Sequence, residues 1–542
     1  MQPTRRETLA LGMTTVGMAI LPQSAAAKPK TAHDPRGCGL EAGSLGRPGI
    51  EGQRRADLGD GRYVNPVLSG DRPDPSILRD GDDYYATFSS FQYYPGIPIW
   101  HSRDLVNWTP VSSALQTNIG IVWAIDIAKH DGRYFIYIPT LDGSARPQKT
   151  FVIHADTMRG PWSEPIDMKL DGFIDPGHAV GEDGRRYLFF NGGRRVRISD
   201  DGLSAAGPVE QVYSGWPIPE DYIIEGFALE GPKILRRGDW FYMISGQGGT
   251  AGPPTSHMVV VARSTSIHGP WVNCPHNPIV RTVSRDEPWW SRGHASAVQA
   301  PDDSWWFVYH GYENGFRTLG RQMLLEPFEW TADGWPRALG GDLTRPIAKP
   351  RGGGTELHGI AQSGFAPDMF GTRMTFFAPG SRYAQRAKVV AGVLTLAGQG
   401  SSVADSSPLL LIAGDRSYEI SVQVEVRGDS TAGLTLFYND KLFCGLGVGP
   451  GRLHAYRIGQ EEGWPPGREI DTRRLHFRAV NDENVVTFYY SLDGNDWKKD
   501  RSVEVAGYNH NVADGFLSLR PGVFVTGGGS AVFRDLRYVA HA

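Results

Sequence analysis

Three carboxylate residues of the chain stand in similar local sequences. They are Asp74 in Arg72-Pro73-Asp74-Pro75, Asp175 in Ile174-Asp175-Pro176-Gly177, and Glu230 in Leu229-Glu230-Gly231-Pro232. Each lies beside Pro or Gly and a short distance ahead of an aromatic run. Each proline fixes its own φ, and Pro75 also favours an extended backbone at Asp74. We therefore expect these carboxylates to be held in definite directions.

Carboxylates gathered in one place are suited to the hydrolysis of a glycosidic bond. One carboxylate activates water while a protonated one donates to the leaving oxygen. Crowding raises the pKa of the donor, and a third carboxylate can tune that pKa. The alternative is three unrelated turn residues, because Asp and Pro are common in turns.

The elements that must position these residues form a repeat. A tight turn followed by an aromatic, β-rich run occurs five times, at 80–88, 131–138, 183–190, 237–244 and 302–309. Successive turns are about 50 residues apart, which is typical of propeller blades built from several short strands. The sequence therefore predicts an all-β protein with a five-bladed β-propeller over residues 63–350. If each carboxylate begins the innermost strand of a blade, all three face the central axis at one end.

The remainder of the chain has a different pattern. Residues 418–426 alternate between apolar and polar side chains, and a hairpin with an Asp493-Gly494 turn follows at 485–497. Regularly spaced strands of this kind predict a two-sheet β-sandwich over residues 360–542.

The first 62 residues belong to neither domain. Residues 1–27 contain the twin arginine Arg5-Arg6, an apolar run and Ala25-Ala26-Ala27, which together predict a twin-arginine signal peptide and a periplasmic or secreted protein. Residues 28–62 are predicted to form a linker or strap. The net charge of −4 gives no basic face for nucleic acid, and no apolar run beyond the leader is long enough for a membrane span.

These motifs together resemble the family-43 glycoside hydrolases. The similarity covers residues 63–350 and includes the 94–108 segment of the first blade, the acid motif Glu230-Gly231-Pro232, and Gly320-Arg321-Gln322. The sandwich resembles the family's concanavalin-like accessory domain, which in some members closes the sugar pocket. The resemblance implies an inverting enzyme with Asp74 as general base, Glu230 as general acid and Asp175 as the residue that modulates the pKa of Glu230. Inversion implies a base-to-acid separation of roughly 6.5–9.5 Å, which leaves room for water.

Three further residues are candidates for substrate binding. Arg321 could hold two sugar or carboxylate oxygens with its forked donors, with a structural salt bridge as the alternative. Trp123 could stack on a sugar face or belong to the blade core. His294, in Gly293-His294-Ala295, resembles a central-channel histidine that binds calcium or water in some members, although the usual motif is Gly-His-Gly. No cofactor is required on this interpretation. Calcium at His294 is an open prediction, since calcium prefers oxygen ligands to imidazole.

The function expected from the resemblance is exo-acting release of terminal xylose or arabinofuranose from oligosaccharides of xylan or arabinan. Two alternatives remain open at this stage. One is a non-catalytic carbohydrate-binding protein, because propellers and sandwiches also serve as lectin scaffolds. The other is a hydrolase of the same fold that acts on galactofuranose or arabinan.

Overall fold

A computed structural model describes residues 54–141, 149–352, 362–463 and 467–541 of the chain. In these ranges nearly all regular elements are β-strands, with one α-helix at His510–Ala513. Short 3-10 turns lie at Asn191–Gly193, Arg317–Leu319, Pro367–Met369 and Tyr383–Arg386. None of the helices in these ranges has the length and apolar character needed to cross a membrane. The predicted signal peptide, 1–27, lies outside the described residues.

Five antiparallel sheets form the blades of a β-propeller, as the repeat predicts. Blade 1 consists of Ser76–Asp80, Asp83–Thr87, Gly96–Ser102 and Thr109–Leu115. Blade 2 consists of Ile121–Val122, Asp126–His130, Arg133–Leu141, Lys149–Ala155 and Ile166–Asp171. Blade 3 consists of Gly177–Val180, Arg186–Phe190, Arg194–Ile198 and Ala205–Gln211. Blade 4 consists of Glu230–Arg237, Trp240–Gln247, Met258–Ser264, Val272–Asn273 and Val280–Arg281. Blade 5 consists of Trp289–Gln299, Trp305–Glu313, Arg321–Trp330 and Pro336–Ala338.

One strand of each blade lines the centre of the propeller. These inner strands are Ser76–Asp80, Asp126–His130, Gly177–Val180, Glu230–Arg237 and Trp289–Gln299. Each contacts the inner strands of the two neighbouring blades, so the five form a closed ring. Residues at the same end of these strands therefore meet around the axis.

The aromatic runs are the second strands of the blades. Their residues are buried on both faces, as in Trp305–Glu313, because each blade packs between two others. By contrast, Tyr418–Arg427 in the C-terminal region alternates between buried and partly exposed residues along its length. This difference explains why the first region has continuous apolar runs and the second has a period of two.

The C-terminal region is a sandwich of two antiparallel sheets, as predicted. One sheet contains Met374–Phe377, Leu409–Leu411, Ser430–Asn439, Leu442–Gly449, Arg452–Arg457, Gln460–Glu461 and Arg520–Gly527. The other contains Ala387–Val390, Val393–Ala397, Tyr418–Arg427, Arg474–Asp482, Val485–Ser491, Lys498–Glu504 and Ser530–Ala540. Their facing apolar side chains form one core, which includes Leu434, Phe477 and Phe533.

The sandwich is joined to the propeller through backbone pairing as well as side chains. The short strand Tyr93–Tyr94, from within blade 1, pairs with Met374–Phe377 and extends the first sandwich sheet. Arg54 in the strap donates to both carboxylate oxygens of Glu313 in blade 5 and to the Gly414 carbonyl in the sandwich. Arg62–Tyr63 at the end of the strap pairs with Ile347–Ala348. The contacts of Tyr93–Tyr94 and Arg54 fix the sandwich against blades 1 and 5, whereas the pairing of Arg62–Tyr63 joins the two ends of the propeller region.

Candidate active site

The three carboxylates begin the inner strands of blades 1, 3 and 4. Asp74 lies two residues before Ser76–Asp80, Asp175 two residues before Gly177–Val180, and Glu230 is the first residue of Glu230–Arg237. The expectation that Asp74 is extended is wrong, because its φ is +56° and that of Asp175 is +59°. Asp tolerates this left-handed conformation better than most residues. The cost is of the order of 1–3 kcal/mol per residue, so surrounding contacts must maintain it.

One cavity at the ring of inner strands contains all six residues that the sequence singled out. The centre of a water-sized sphere can occupy about 50 Å³ of this cavity, and the empty space between its atoms totals about 350 Å³. Its lining is Asp74, Phe91, Trp123, Ala124, Ile174, Asp175, Glu230, Thr250, His294, Arg321 and Phe516. The convergence inferred from the phase of the repeat is therefore present in the structure.

Asp74 is the most highly coordinated carboxylate of the cavity. Its Oδ1 lies 2.8 Å from Arg321 Nη1 and 3.2 Å from His310 Nδ1, and its Oδ2 accepts a 2.6 Å hydrogen bond from Ser89 Oγ. Burial alone would raise the pKa of Asp74, but the positive charge of Arg321 outweighs burial and holds that pKa well below its ordinary value. Asp74 is therefore an ionised carboxylate in the free protein.

Asp175 and Glu230 influence each other's protonation, and the pKa of Asp175 is shifted in the opposite direction to that of Asp74. Burial raises the pKa of Asp175 well above its ordinary value, and the negative charges of Glu230 and Asp74 raise it further. Burial also raises the pKa of Glu230, but the interaction with His257, whose Nε2 lies 2.9 Å from Glu230 Oε1, outweighs it and lowers that pKa. Asp175 is therefore the member of the pair that binds a proton more readily.

A chain of imidazoles connects the backbone of Asp74 to the side chain of Glu230. The Asp74 N–H donates to His310 Nδ1 at 3.0 Å, and His310 Nε2 lies 3.2 Å from His257 Nδ1. His257 Nε2 in turn lies 2.9 Å from Glu230 Oε1. With His310 Nδ1 accepting, its Nε2 carries the hydrogen of a neutral ring, and the same tautomer of His257 would place its Nε2 hydrogen beside Glu230. Neither histidine was identified from the sequence. In the Tyr309-His310-Gly311 segment, the only possible signal is one polar residue within a run that is otherwise typical of a blade core.

Arg321 and Trp123 each have a structural role as well as a place in the lining. Arg321 forms the salt bridge that the sequence left as an alternative, and its partner is Asp74. Its Nε is buried and has no hydrogen-bond partner in the described ranges. Trp123 is half-buried, with Phe91 and Phe516 packed edge-on against its ring at 6.5 and 5.8 Å. Both side chains therefore present part of their surface to the cavity.

The donors around His294 do not suit calcium. His294 Nδ1 lies 3.5 Å from Asp74 Oδ1, whose carboxylate already pairs with Arg321. On the other side, a Cβ at Gly231 would lie 2.5 Å from His294 Nε2, so only glycine permits this approach. Calcium requires six to eight oxygen ligands, and no group of three or more His, Cys, Asp or Glu side chains in the described residues suits a metal ion. Burial lowers the pKa of His294 to about 4, so the ring is a neutral part of the wall.

The sandwich supplies one side chain to the cavity, Phe516. Its ring stacks on His510 at 3.9 Å, and the Phe516 N–H donates to His510 Nδ1. The neighbouring Leu519 N–H donates to the Thr318 carbonyl of the propeller. No sequence signal could identify Phe516, because it lies 286 residues after Glu230, in the other domain.

Comparisons with known proteins agree with the fold and the cavity. The sequence model of glycosyl hydrolases family 43 matches residues 63–336, which is just over half of the chain. The model of the β-xylosidase C-terminal concanavalin A-like domain matches residues 382–538.

Two curated relatives illustrate the similarity. A non-reducing end α-L-arabinofuranosidase of Bacteroides ovatus is 34% identical over 294 residues, which is 51% of this chain and 53% of the relative. A β-xylosidase of Bacillus subtilis is 34% identical over 316 residues, which is 52% of this chain and 57% of the relative. The chain thus matches a little over half the length of these proteins. A crystal structure of a family 43 protein from Bacillus licheniformis superposes with a TM-score of 0.77 at 26% identity, covering 89% of this chain and all of the other.

Proposed function

The chain belongs to glycosyl hydrolase family 43, and we propose that it is an inverting, exo-acting glycosidase that removes terminal xylose or arabinofuranose from hemicellulose. The observation that carries the proposal is the convergence of Asp74, Asp175 and Glu230 on one cavity at the ring of inner strands. A non-catalytic sugar-binding site has no need of three carboxylates with opposed pKa shifts.

Asp74 is the general base in this proposal. It is ionised and held by Arg321 and Ser89, so it can orient a water and accept its proton. Its position is maintained by contacts on both oxygens and on its backbone N–H. This fixed geometry suits a base that must act on a water bound on the far side of the sugar.

Glu230 is the general acid, and Asp175 controls the proton that it donates. The Glu230 side chain is 23% exposed, whereas Asp175 is 3% exposed. Glu230 can therefore reach a leaving oxygen, while Asp175 remains behind it. In this proposal Glu230 donates a proton that it shares with Asp175, and after donation to the leaving oxygen both carboxyls are ionised. The Gly231 N–H, which donates to Asp175 Oδ2 at 3.3 Å, helps to stabilise that charge.

The lining of the cavity supports the binding of a terminal sugar. Phe516 and Trp123 bring aromatic surface to its walls, and the free Arg321 Nε offers a donor for a sugar hydroxyl. The curated relatives act on xylosides or arabinofuranosides by name, so both sugars are retained as substrates of the proposed activity.

The test is hydrolysis of p-nitrophenyl β-D-xylopyranoside and p-nitrophenyl α-L-arabinofuranoside, with the first released anomer followed by NMR. We expect turnover of at least one glycoside with inversion. Asp74→Asn should lose turnover by about 10²–10⁴-fold while retaining xylobiose binding in calorimetry. Retention of configuration would contradict the roles of Asp74 as base and Glu230 as acid. Binding of sugar by the wild type without turnover would favour the sugar-binding alternative.

Export by the twin-arginine route forms part of the same proposal. It rests on Arg5-Arg6 and the small-residue site at Ala25-Ala26-Ala27. Fractionation of a native host should place the protein outside the cytoplasm, and Arg5→Lys with Arg6→Lys should retain it inside. An unchanged distribution in that double variant would contradict this route.

A further inference from the structure

A second cavity lies behind the first, between blade 1 and the sandwich. About 30 Å³ of it is open to the centre of a water-sized sphere, which is room for one or two water-sized groups. Asp71, Arg72 and Trp100 line it from the propeller, and Ile412 and Arg520 line it from the sandwich. The proposed catalytic residues Asp74, Asp175 and Glu230 do not line it.

The wall of this cavity carries four polar groups that lack hydrogen-bond partners. They are Arg72 Nε, Ser90 Oγ, Tyr93 Oη and Trp100 Nε1, all buried and unpartnered within the part of the chain that the structure describes. Every one of them can donate a hydrogen bond, and two of them can only donate. Buried polar groups without partners are uncommon in folded proteins. Four of them around one small cavity indicate a ligand that accepts hydrogen bonds.

The charges of the wall do not balance. Arg72 is 3% exposed, and its Nη1 donates only to the backbone carbonyl of Asp71, at 3.0 Å. The Asp71 carboxylate is instead bonded to Arg520, whose Nη2 lies 3.0 Å from Oδ2. Among Asp71, Arg72 and Arg520, the positive charges therefore exceed the negative charges by one. Arg373, at the edge of the cavity, donates to the Ser363 carbonyl and does not depend on the cavity for a partner.

The position of the Arg72 side chain agrees with this imbalance. Its guanidinium carbon lies 4.9 Å from the centre of the Trp100 ring and 6.0 Å from that of Phe88. Burial, followed by repulsion from Arg520, lowers the pKa of Arg72 to about 9. Aromatic faces partly stabilise a buried cation, but an anion would supply the missing countercharge.

We propose that this cavity binds a small monovalent anion of the size of chloride. Water could accept hydrogen bonds from the four donors but could not neutralise the charge of Arg72. A singly charged anion matches the one excess positive charge of Asp71, Arg72 and Arg520 more closely than a doubly charged phosphate or sulfate does. A halide accepts hydrogen bonds from every direction, which suits a wall made of donors.

The anion would lie one side chain away from the proposed base. Ser89 lines this cavity and also donates to Asp74 Oδ2, and only Pro73 separates Arg72 from Asp74 in the chain. The site would thus hold the segment that carries Asp74 against the sandwich. Binding itself does not depend on the proposed function, so it is tested without an activity measurement.

The first test is crystallographic. Crystals of the full chain grown without halide and soaked in about 0.1 M sodium bromide, where surface charges are well screened, should show an anomalous peak between Arg72, Tyr93 and Trp100. A cavity that contains only water in the same crystals would overturn the proposal.

The second test is made in solution with conservative variants. The melting temperature should be higher by about 2 °C in sodium chloride than in sodium gluconate of equal ionic strength, because an anion that binds only the folded state stabilises it. Tyr93→Phe combined with Ser90→Ala removes two donors and should reduce this difference, and Arg72→Met should abolish it. Tyr94→Phe is the matched control, because Tyr94 Oη donates to the Gly120 carbonyl and does not line the cavity. Equal melting temperatures of the wild type in the two salts would contradict a bound halide.

Discussion

The carboxylates of the cavity differ sharply from a fourth acid in the same structural position. Asp126 is the first residue of the inner strand of blade 2, as Glu230 is of blade 4. Its Oδ1 lies 2.5 Å from Lys233 Nζ and accepts a 2.9 Å hydrogen bond from Ser76 Oγ, and its Oδ2 accepts from the His178 N–H. Asp126 does not line the cavity.

The comparison shows that position on the ring does not determine chemistry. Lys233 neutralises Asp126, and the pair with its hydrogen bonds ties together blades 1 to 4. No side chain in the described residues pairs with Asp175 in the same way, so burial and the charges of Glu230 and Asp74 raise the pKa of Asp175. The proposed function therefore depends on carboxylates that have no countercharge beside them. Burying such groups lowers the stability of the fold, and interactions elsewhere in the molecule offset this cost.

The largest expected effect distinguishes Glu230 from Asp126. Glu230→Gln should lower kcat/KM on xylobiose by about 10³-fold, because the leaving sugar needs a proton. The loss should be much smaller on a dinitrophenyl glycoside, whose leaving group departs without protonation. Rates on the two substrates, measured at one pH, give the ratio.

Asp126→Asn is the control for this prediction. It changes an acid at the same position on the ring but leaves the Asp175–Glu230 pair in place, so both substrates should be affected equally. If the two variants showed a similar dependence on the leaving group, Glu230 and Asp126 would not differ in role. That result would contradict the assignment of Glu230 as the general acid.

Lys233→Met is expected to have the largest effect on stability. It leaves Asp126 buried without its cation, which costs about 3–5 kcal/mol. The double variant Lys233→Met with Asp126→Leu removes both charges and should recover much of that loss. Denaturant midpoints of the two variants and the wild type provide the measurement. Equal destabilisation by the single and double variants would indicate that packing, and not charge, explains the effect.

Much of the fold could be predicted from sequence patterns. Particular residues show where prediction from the sequence fails. The repeated turns place Asp74, Asp175 and Glu230 at one end of the ring, since the phase of a repeat carries over to three dimensions. The same pattern does not separate Asp126 from them, because its partner Lys233 lies 107 residues away. His257 and Phe516 also reach the site through tertiary packing. The left-handed φ of Asp74 arises where tertiary contacts override the local preference imposed by Pro75.

A smaller effect is expected from the imidazole chain. Replacing His257 with Gln weakens the interaction that lowers the pKa of Glu230, so that pKa should rise. The basic limb of the pH profile of kcat/KM should then move to higher pH, by less than about one unit, with roughly a tenfold loss of rate. His178→Gln is the matched control, because His178 lies in blade 3 outside the cavity lining. A rate loss without any movement of the limb would mean that His257 only maintains packing.

The smallest expected effect is the pH dependence of stability, and here Asp175 and Asp74 should differ in sign. The folded protein raises the pKa of Asp175 above its ordinary value of 3.8, so it binds a proton that the unfolded chain releases. Asp175 therefore destabilises the fold progressively as the pH rises from that value to the folded pKa, by at most about 1.4 kcal/mol per pH unit. Asp175→Asn should accordingly gain stability relative to the wild type between about pH 4 and pH 7. Asp74 has a depressed pKa, so its stabilisation is fully present above about 3.8 and is lost as the pH falls further; Asp74→Asn should therefore be less stable than the wild type by a constant amount between about pH 4 and pH 7, and this difference should shrink below pH 4. Denaturant midpoints at the two pH values compare the variants directly, and parallel trends would show that the two carboxyls do not have opposed pKa shifts.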